Sequence, residues 1–231
     1  SNFTTRWAQY SALGTGKGLT KSLVDDYLCI DGKPISSSAL YQGDATLIDI
    51  VKNRDPRLNQ SIYVNDNLHP RTNNRPGGAP NNEFTNPIVD QATEDNCSTG
   101  FMRYKGTDPN YVKQFNGMGD QGLIFFRYAE ILLIHAEAKA ELGTITQADL
   151  DVTINKLRAR VSMPNLVIGS IVTDPNWGFP ALSPLINEVR RERRIELAVE
   201  GFRHDDIWRW AGADELIIGK KPLGAKKAQW T

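Results

Sequence analysis

Carboxylates and arginines alternate in one stretch of the chain, residues 183–210, which reads SPLINEVRRERRIELAVEGFRHDDIWRW. Glycoside hydrolysis needs two carboxyl groups about 5 to 10 Å apart, one of them kept protonated. Glu196 and Glu200 are one helical turn apart and have the residue types for that reaction. The arginines around them are expected to lower carboxylate pKa values, which removes the general acid. The pattern therefore favours a buried charge network, with a glycoside hydrolase as the alternative.

A single helix over residues 184–200 is predicted to carry these charges. Ser183 is a favourable N-cap, Pro184 suits the first helical position, and Gly201 can end the helix in the left-handed conformation. Apolar residues lie on one face at the start of this helix and on the opposite face at its end. A helix of this kind is enclosed, so its charged side chains must be paired. The predicted structural charge network comprises Arg193, Glu196, Glu200, Arg203 and Asp205.

His204, Asp205 and Asp206 are also candidate metal ligands. Adjacent residues on one helix point in different directions, however, and oxygen-rich cation sites usually take their ligands from a turning loop. Pairing of these residues with Arg193 or Arg209 is the simpler interpretation. His135 lacks a second ligand at metal spacing and is predicted to be a core or boundary residue. No metal or other cofactor is therefore predicted.

Two further helices are predicted in the second half of the chain. Residues 121–143 are apolar apart from one polar sector and end at Gly143, so most of that helix is expected to be buried. Thr146 and Asp149 resemble a capping box ahead of a second amphipathic helix. The apolar stripe of this second helix consists of Leu150, Ile154, Leu157 and Val161. The tight connection between the two predicts an antiparallel helical hairpin.

Little sheet is expected in the rest of the chain. A short amphipathic helix is predicted over residues 45–52 and stops before Pro56. Residues 57–65 alternate apolar and polar side chains and are predicted as a strand, with a second strand over residues 100–106. The expected fold is a single, mainly α domain over all 231 residues. It consists of a helical hairpin and C-terminal helices, with long ordered loops and a few short strands.

The composition excludes several classes of function. Lysine plus arginine balance aspartate plus glutamate at 27 each, so no bulk charge favours binding to nucleic acid. No apolar run reaches the roughly 20 residues of a membrane span, and residues 1–10 do not read as a signal segment. The glycine-rich GTGKG at residues 14–18 follows no strand and lacks the Lys-Ser/Thr ending of a phosphate loop. Neither nucleic-acid binding nor phosphate binding is therefore predicted.

Four segments together resemble the C-terminal half of the SusD/RagB family. They are KNRDPRL at residues 52–58, RYAEILLIHAEAKAELG at 127–143, INKLRARVSMPNL at 154–166 and RRERRIELAVEGFRHDDIWRW at 190–210. The segments occur in the family's order and cover most of the chain. Members of the family are outer-membrane lipoproteins that bind nutrients, mostly glycans, at the cell surface. The resemblance therefore implies binding and delivery of a glycan, without catalysis.

The resemblance carries three further expectations. The chain would be the C-terminal part of a longer protein, whose lipid anchor and helical-repeat half lie outside it. The hairpin of residues 121–161 would pack beside those repeats. The partner would be a SusC-like TonB-dependent transporter, which such proteins cover as a lid at the surface of the outer membrane.

Aromatic residues in polar loops form the predicted ligand site. Sugar rings present apolar C–H faces that stack on aromatic side chains, and their hydroxyls are bound by amides, carboxylates and arginine. The predicted ligand-binding residues are Trp7, Tyr10, Tyr41, Tyr63, Asn65 and Arg71. For each aromatic residue, the alternative is that it fills space beneath a loop.

A helical scaffold that holds a protein partner is the third hypothesis. Tryptophan and arginine dominate interface hot spots, so the short helix with Trp208 and Trp210 could be such an anchor. Trp208 and Trp210 directly follow the charged helix, however, so packing back onto that helix is the favoured prediction.

Overall fold

The structure is a computed structural model that describes residues 18–64, 72–73, 82–83, 97–106 and 124–229. These residues are mainly helical, as predicted, with one antiparallel ribbon in which β1 Thr72–Asn73 pairs with β2 Asn82–Glu83. The helices are α1 Lys21–Asp26, α2 Leu47–Val51, α3 Pro56–Ser61, α4 Tyr128–Glu141, α5 Gln147–Val152, α6 Ile154–Arg160, α7 Pro184–Glu196, α8 Arg203–Arg209 and α9 Ala213–Leu216. Short 3-10 turns occupy Ile168–Ser170 and Lys227–Gln229.

Helix α7 begins as predicted and ends one turn early. The Ser183 hydroxyl accepts a hydrogen bond from the backbone N–H of Ile186 at 3.2 Å, and proline occupies the first turn. The helix stops at Glu196 because the chain then turns through two left-handed residues, Val199 at φ 68° and Gly201 at φ 93°. Since β-branched residues disfavour that conformation, sequence propensity did not indicate the turn at Val199.

The hairpin of α4 with α5 and α6 forms with shorter helices than predicted. Helix α4 starts at Tyr128, and Gly143 adopts a φ of 66° just beyond its end. Thr146 forms the predicted capping box with Asp149 at the start of α5. The second helix is divided at Thr153, whose hydroxyl donates to the Asp149 carbonyl oxygen at 2.5 Å. A side chain that bonds to the preceding turn in this way competes with regular helix geometry.

The strand predicted over residues 57–65 is wrong, because residues 56–61 form helix α3. The Asp55 carboxylate caps this helix by accepting from the backbone N–H of Arg57 at 2.9 Å, and proline follows the cap. Among the described residues 57–64 and 100–106, extended pairing consists of a single bridge between Ile62 and Arg103, so the second predicted strand is wrong as well. Leu58 and Ile62 are four residues apart, a spacing that suits a helix as well as a strand, and the N-cap decides between them.

The core lies on both sides of α7. On one side, Val189 and Leu197 pack with apolar residues of α4, α5 and α6. On the other side, Ile195 packs with apolar residues of α1, α2 and α3 and with Phe101. The two apolar contacts enclose the helix, as predicted. Charged residues between them, such as Glu192, are consequently buried.

Helix α4 is buried on one side only, which corrects the expectation that most of it is enclosed. Its inner face packs against α7. Its outer face is apolar and exposed, with Ile131 at 53% exposure, and it continues into the residues before the helix. We call this surface the α4 apolar face: Ile124, Phe125, Phe126, Tyr128, Ile131 and Ile134. His135, predicted as a core or boundary residue, is also exposed.

None of the described helices combines the length and the apolarity of a membrane span.

Candidate functional site

Glu192 on α7 is the centre of the buried charge network. Its side chain is 0% exposed. Its carboxylate accepts from Arg57 of α3 at 2.6 Å and from Arg158 of α6 at 2.9 Å, so one residue joins three helices. Arg57 also binds Asp55, the cap of its own helix, at 2.6 Å. Burial opposes ionisation of Glu192, but the two arginines outweigh it and lower the pKa of the carboxyl.

Glu196, one turn further along α7, binds arginines from three segments. Its carboxylate lies 3.0 Å from Arg57, 2.7 Å from Arg127 and 2.8 Å from Arg160. Burial raises the pKa of Glu196, but hydrogen bonding to Arg127 and the charge of Arg57 outweigh that effect, and the net shift is downward. This carboxylate is therefore ionised and fully engaged by guanidinium groups.

Arg127 lies between the two carboxylates that the sequence suggested as an acid–base pair. Its guanidinium group binds Glu196 at 2.7 Å and Glu200 at 2.6 Å. Lys105 contacts Glu200 as well, at 2.5 Å. A guanidinium group that binds both carboxylates locks the end of α7.

A second part of the network joins α8 to α4 and α7. Arg193 pairs with Asp206 at 2.9 Å, one of the alternatives that the sequence left open. Asp206 also accepts from Arg209 at 2.9 Å, and Arg209 binds the buried Glu137 of α4 at 2.5 Å. The indole N–H of Trp210 donates to the same Glu137 oxygen at 2.5 Å. Two buried carboxylates thus hold three helices together.

Two residues of the predicted network, Asp205 and Arg203, lie outside the buried ion pairs. The Asp205 side chain is 83% exposed and 3.3 Å from His204, and Asp206 occupies the buried position instead. Successive residues of a helix point about 100° apart, so only one of two neighbouring aspartates can face Arg193. Arg203 has no ion pair with any described residue, and it stacks on the Trp210 ring at 5.7 Å. Burial lowers the pKa of Arg203 to about 10.

The two tryptophans of α8 and its C-cap differ in environment. Trp210 packs back onto α7 as predicted, with Arg190 stacked 4.5 Å from its ring. Trp208 does not pack back, since it is 72% exposed. Its indole N–H donates to His204 Nε2 at 2.8 Å, which fixes the orientation of the ring at the surface.

Sequence reasoning missed most partners of the network. The missed residues are Asp55, Arg57, Arg127, Glu137, Arg158 and Arg160. Several lie in the segments that carry the family resemblance, such as Arg57 in KNRDPRL. The sequence feature that could have identified them is an arginine within an apolar stretch, because a buried charge requires an oppositely charged or hydrogen-bonding partner.

The structure places only part of the predicted ligand-binding set. Tyr41 is half-buried, with the Arg54 guanidinium group 5.5 Å from its ring centroid. Tyr63 is 3% exposed and packs with Cys97 and Met102, so its ring offers no face to a ligand. The remaining predicted residues, Trp7, Tyr10, Asn65 and Arg71, lie outside the described residues.

The described part of the chain holds no group of three or more His, Cys, Asp or Glu side chains placed to bind a metal ion.

The described residues form a mainly helical fold whose C-terminal helices are held by buried ion pairs. The SusD family model matches residues 2–230, and the chain belongs to this family. A curated relative, a SusD-like protein of Formosa agariphila, is 35% identical over 98 residues. That match covers 42% of this chain and 19% of the relative.

Two solved structures from Bacteroides fragilis NCTC 9343 are similar to most of the chain. A SusD-like carbohydrate-binding protein is 30% identical, with a TM-score of 0.55, and matches 85% of this chain. A second SusD-like protein is 28% identical, with a TM-score of 0.56, and matches 86% of this chain. Each match covers 36% of the solved chain, so the present chain spans a minor part of the length of these relatives.

Proposed function

We propose that this chain is part of a SusD-like protein that binds a glycan without catalysis. The observation that carries the proposal is its 30% identity, over 85% of the chain, with a solved SusD-like carbohydrate-binding protein. On this proposal the buried network is a rigid support, and recognition takes place on the loops that it holds. Loops on a rigid scaffold are the usual place for binding residues.

The charge network supports a role without catalysis. Glycoside hydrolysis needs one carboxyl group that stays protonated and a second that is ionised, both in reach of the substrate. Glu192 and Glu196 have lowered pKa values and are enclosed by arginines. Burial raises the pKa of Glu188, which is the property that a general acid needs. The second carboxylate would have to be its neighbour on the helix, Glu192, which is fully buried and out of reach of a substrate.

Hydrolase activity is tested directly by prolonged incubation with a panel of oligosaccharides and detection of new reducing ends. We expect no increase over a sample without protein. Turnover that persists after a second chromatographic purification would contradict the proposal.

Replacing Tyr41 or Trp7 with alanine is expected to weaken glycan binding by about tenfold, because each change removes an aromatic surface for a sugar ring. A glycan array first identifies a bound glycan, and calorimetric titration then compares the variants. The matched control is Tyr63→Phe, which keeps a buried ring and should leave the affinity unchanged. Unchanged affinity in both alanine variants would remove these two residues from the site.

We further propose that the whole protein resides at the surface of the outer membrane and passes its glycan to a SusC-like TonB-dependent transporter. Membership of the SusD family supports this proposal. Co-purification of a large outer-membrane transporter with the protein from its native membranes is the expected result. If the protein binds a glycan but no such transporter co-purifies with it, the proposed binding function stands and the proposed delivery step fails.

The scaffold hypothesis keeps one favourable observation, the exposed Trp208 with its ring fixed by His204. An exposed, oriented tryptophan is a typical interface anchor. If Trp208→Ala abolished co-purification of the transporter and left glycan affinity intact, this residue would belong to the transporter contact.

A further inference from the structure

Arg203, the first residue of α8, carries a guanidinium group that has no anionic partner among the described residues. It forms no ion pair or hydrogen bond with any of them, and its Cζ lies 5.7 Å from the centroid of the Trp210 ring. Burial lowers the pKa of Arg203 to about 10, because removal from water disfavours the positive charge. A charge held in such a place is expected to have a counter-ion.

The acids near Arg203 do not supply that counter-ion, because other arginines already bind them. The charges of Asp26 and Asp206 act on Arg203 and favour its protonated form. Asp26 pairs with Arg194, however, and Asp206 pairs with Arg193 at 2.9 Å. One further carboxylate would therefore complete the ion pairs at this end of α8.

The other arginines around Trp210 show what kind of group is missing. Arg190 lies 4.5 Å and Arg209 lies 4.8 Å from the centroid of the same ring. Arg190 binds the carboxylate of Glu141 at 2.9 Å, and Arg209 binds that of Glu137 at 2.5 Å. The remaining guanidinium group at this ring has no such partner in the described part of the chain.

A carboxylate from another molecule can reach Arg203. The side chain is partly exposed, and its guanidinium nitrogens are not among the solvent-excluded atoms that lack a hydrogen-bond partner. In addition to burial, the positive charges of Arg194 and Arg190 lower the pKa of Arg203, so a bound anion would relieve their repulsion. A guanidinium group can hold a carboxylate by two parallel N–H···O bonds.

We propose that Arg203 is the anchor of a site that binds a carboxylate supplied by another molecule. Two sources share this chemistry, an acidic side chain of a protein partner and a small organic acid. The proposal does not depend on the glycan function. It holds if the chain binds no glycan, and it can fail while the chain binds one.

NMR of the arginine side chains in the nitrogen-15-labelled chain tests this site. Acetate, a blocked tripeptide of glutamate and a blocked tripeptide of glutamine are added separately at constant ionic strength, which keeps the screening of charges equal. The Nε–H signal of Arg203, assigned by its loss in Arg203→Gln, should shift saturably with a carboxylate and should not shift with the glutamine peptide. Tighter binding of the glutamate peptide than of acetate identifies a protein as the source, and tighter binding of acetate identifies a small acid. The proposal is overturned if neither carboxylate gives a saturable shift, or if the glutamine peptide gives the same shift.

Arg160 provides a reference signal in the same spectra. Its side chain is more exposed than that of Arg203, but Glu196 already binds it at 2.8 Å. Its Nε–H signal should therefore stay in place during each titration. Equal shifts of the two arginine signals would indicate general attraction of anions to the surface and would contradict a site at Arg203.

Substitutions measure the contribution of Arg203, with binding followed through the indole N–H signal of the neighbouring Trp210. Arg203→Gln is expected to weaken carboxylate binding by about tenfold, the effect of losing hydrogen bonds to a charged group. Lys52→Gln removes the same charge from an exposed position after α2 and should leave the affinity unchanged. If a melting curve shows that Arg203→Gln is not folded, Arg203→Lys replaces it and should also bind more weakly, because an ammonium group lacks the planar fork. Equal affinity in the Arg203 variant and Lys52→Gln would remove Arg203 from the site.

Discussion

Glu192→Ala is expected to lower the free energy of unfolding by about 3–5 kcal/mol, the cost of breaking a buried ion pair by removal of one partner. The substitution leaves Arg57 and Arg158 buried without the carboxylate that both of them bind. Domains of this size are stable by about 5–15 kcal/mol, so the variant would lose a large part of its stability. Urea denaturation followed by circular dichroism measures the difference.

Two control variants distinguish the effect of losing the buried charge of Glu192 from the effect of replacing a helical glutamate in general. Glu215→Ala, at an exposed position of α9, should change stability by no more than about 0.5 kcal/mol. Glu192→Gln keeps the shape of the side chain and removes its charge, so it should fall between wild type and Glu192→Ala. If Glu192→Ala unfolded at the same urea concentration as Glu215→Ala, the network would not be a source of stability.

The lowered pKa of Glu192 also predicts how stability depends on pH. The folded-state pKa of Glu192 is lowered, so its contribution is present above the unfolded value of about 4.3 and is lost as pH falls through the folded value. Wild-type stability should therefore decrease as pH is lowered below about 4. Glu192→Gln should show a shallower decrease over that range, and parallel curves would contradict the assigned shift.

Helix boundaries that depend on local chemistry could be predicted from the sequence. Ser183 and Thr146 act as caps, and Gly143 takes the left-handed conformation after α4. These features depend on residues within a few positions of each other, which the sequence displays directly. The prediction failed for α3, where Asp55 caps a helix whose apolar spacing also suits a strand.

The partners of buried charges could not be predicted, because tertiary packing decides them. Arg57 and Glu192 are far apart in the sequence, yet they make a buried ion pair at 2.6 Å. Sequence reasoning identified the right helix and the need for pairing, but not which segments supply the arginines. The choice between Asp205 and Asp206 depended likewise on the rotation of α8, which a short helix does not reveal by its apolar pattern.

The exposed α4 apolar face is expected to make this chain self-associate, and replacing both Ile131 and Ile134 with lysine is expected to weaken that association about a hundredfold. The two side chains are exposed on the α4 apolar face, and covering an apolar side chain of this size contributes about 1.5–3 kcal/mol. Sedimentation velocity over a range of protein concentrations measures the association. A dye that fluoresces on apolar surfaces should also bind the wild-type chain more strongly than the variant.

Val152→Lys is the matched control, since it places the same charge on an isolated exposed valine of α5. It should leave both association and dye binding unchanged. Several large apolar side chains exposed along one helix face and the residues before it are typical of a contact surface. The SusD-like relatives are much longer than this chain, and we propose that the rest of such a protein packs on this face. A wild-type chain that stays monomeric and binds no dye would show that the face is stable in water, and that proposal would fail.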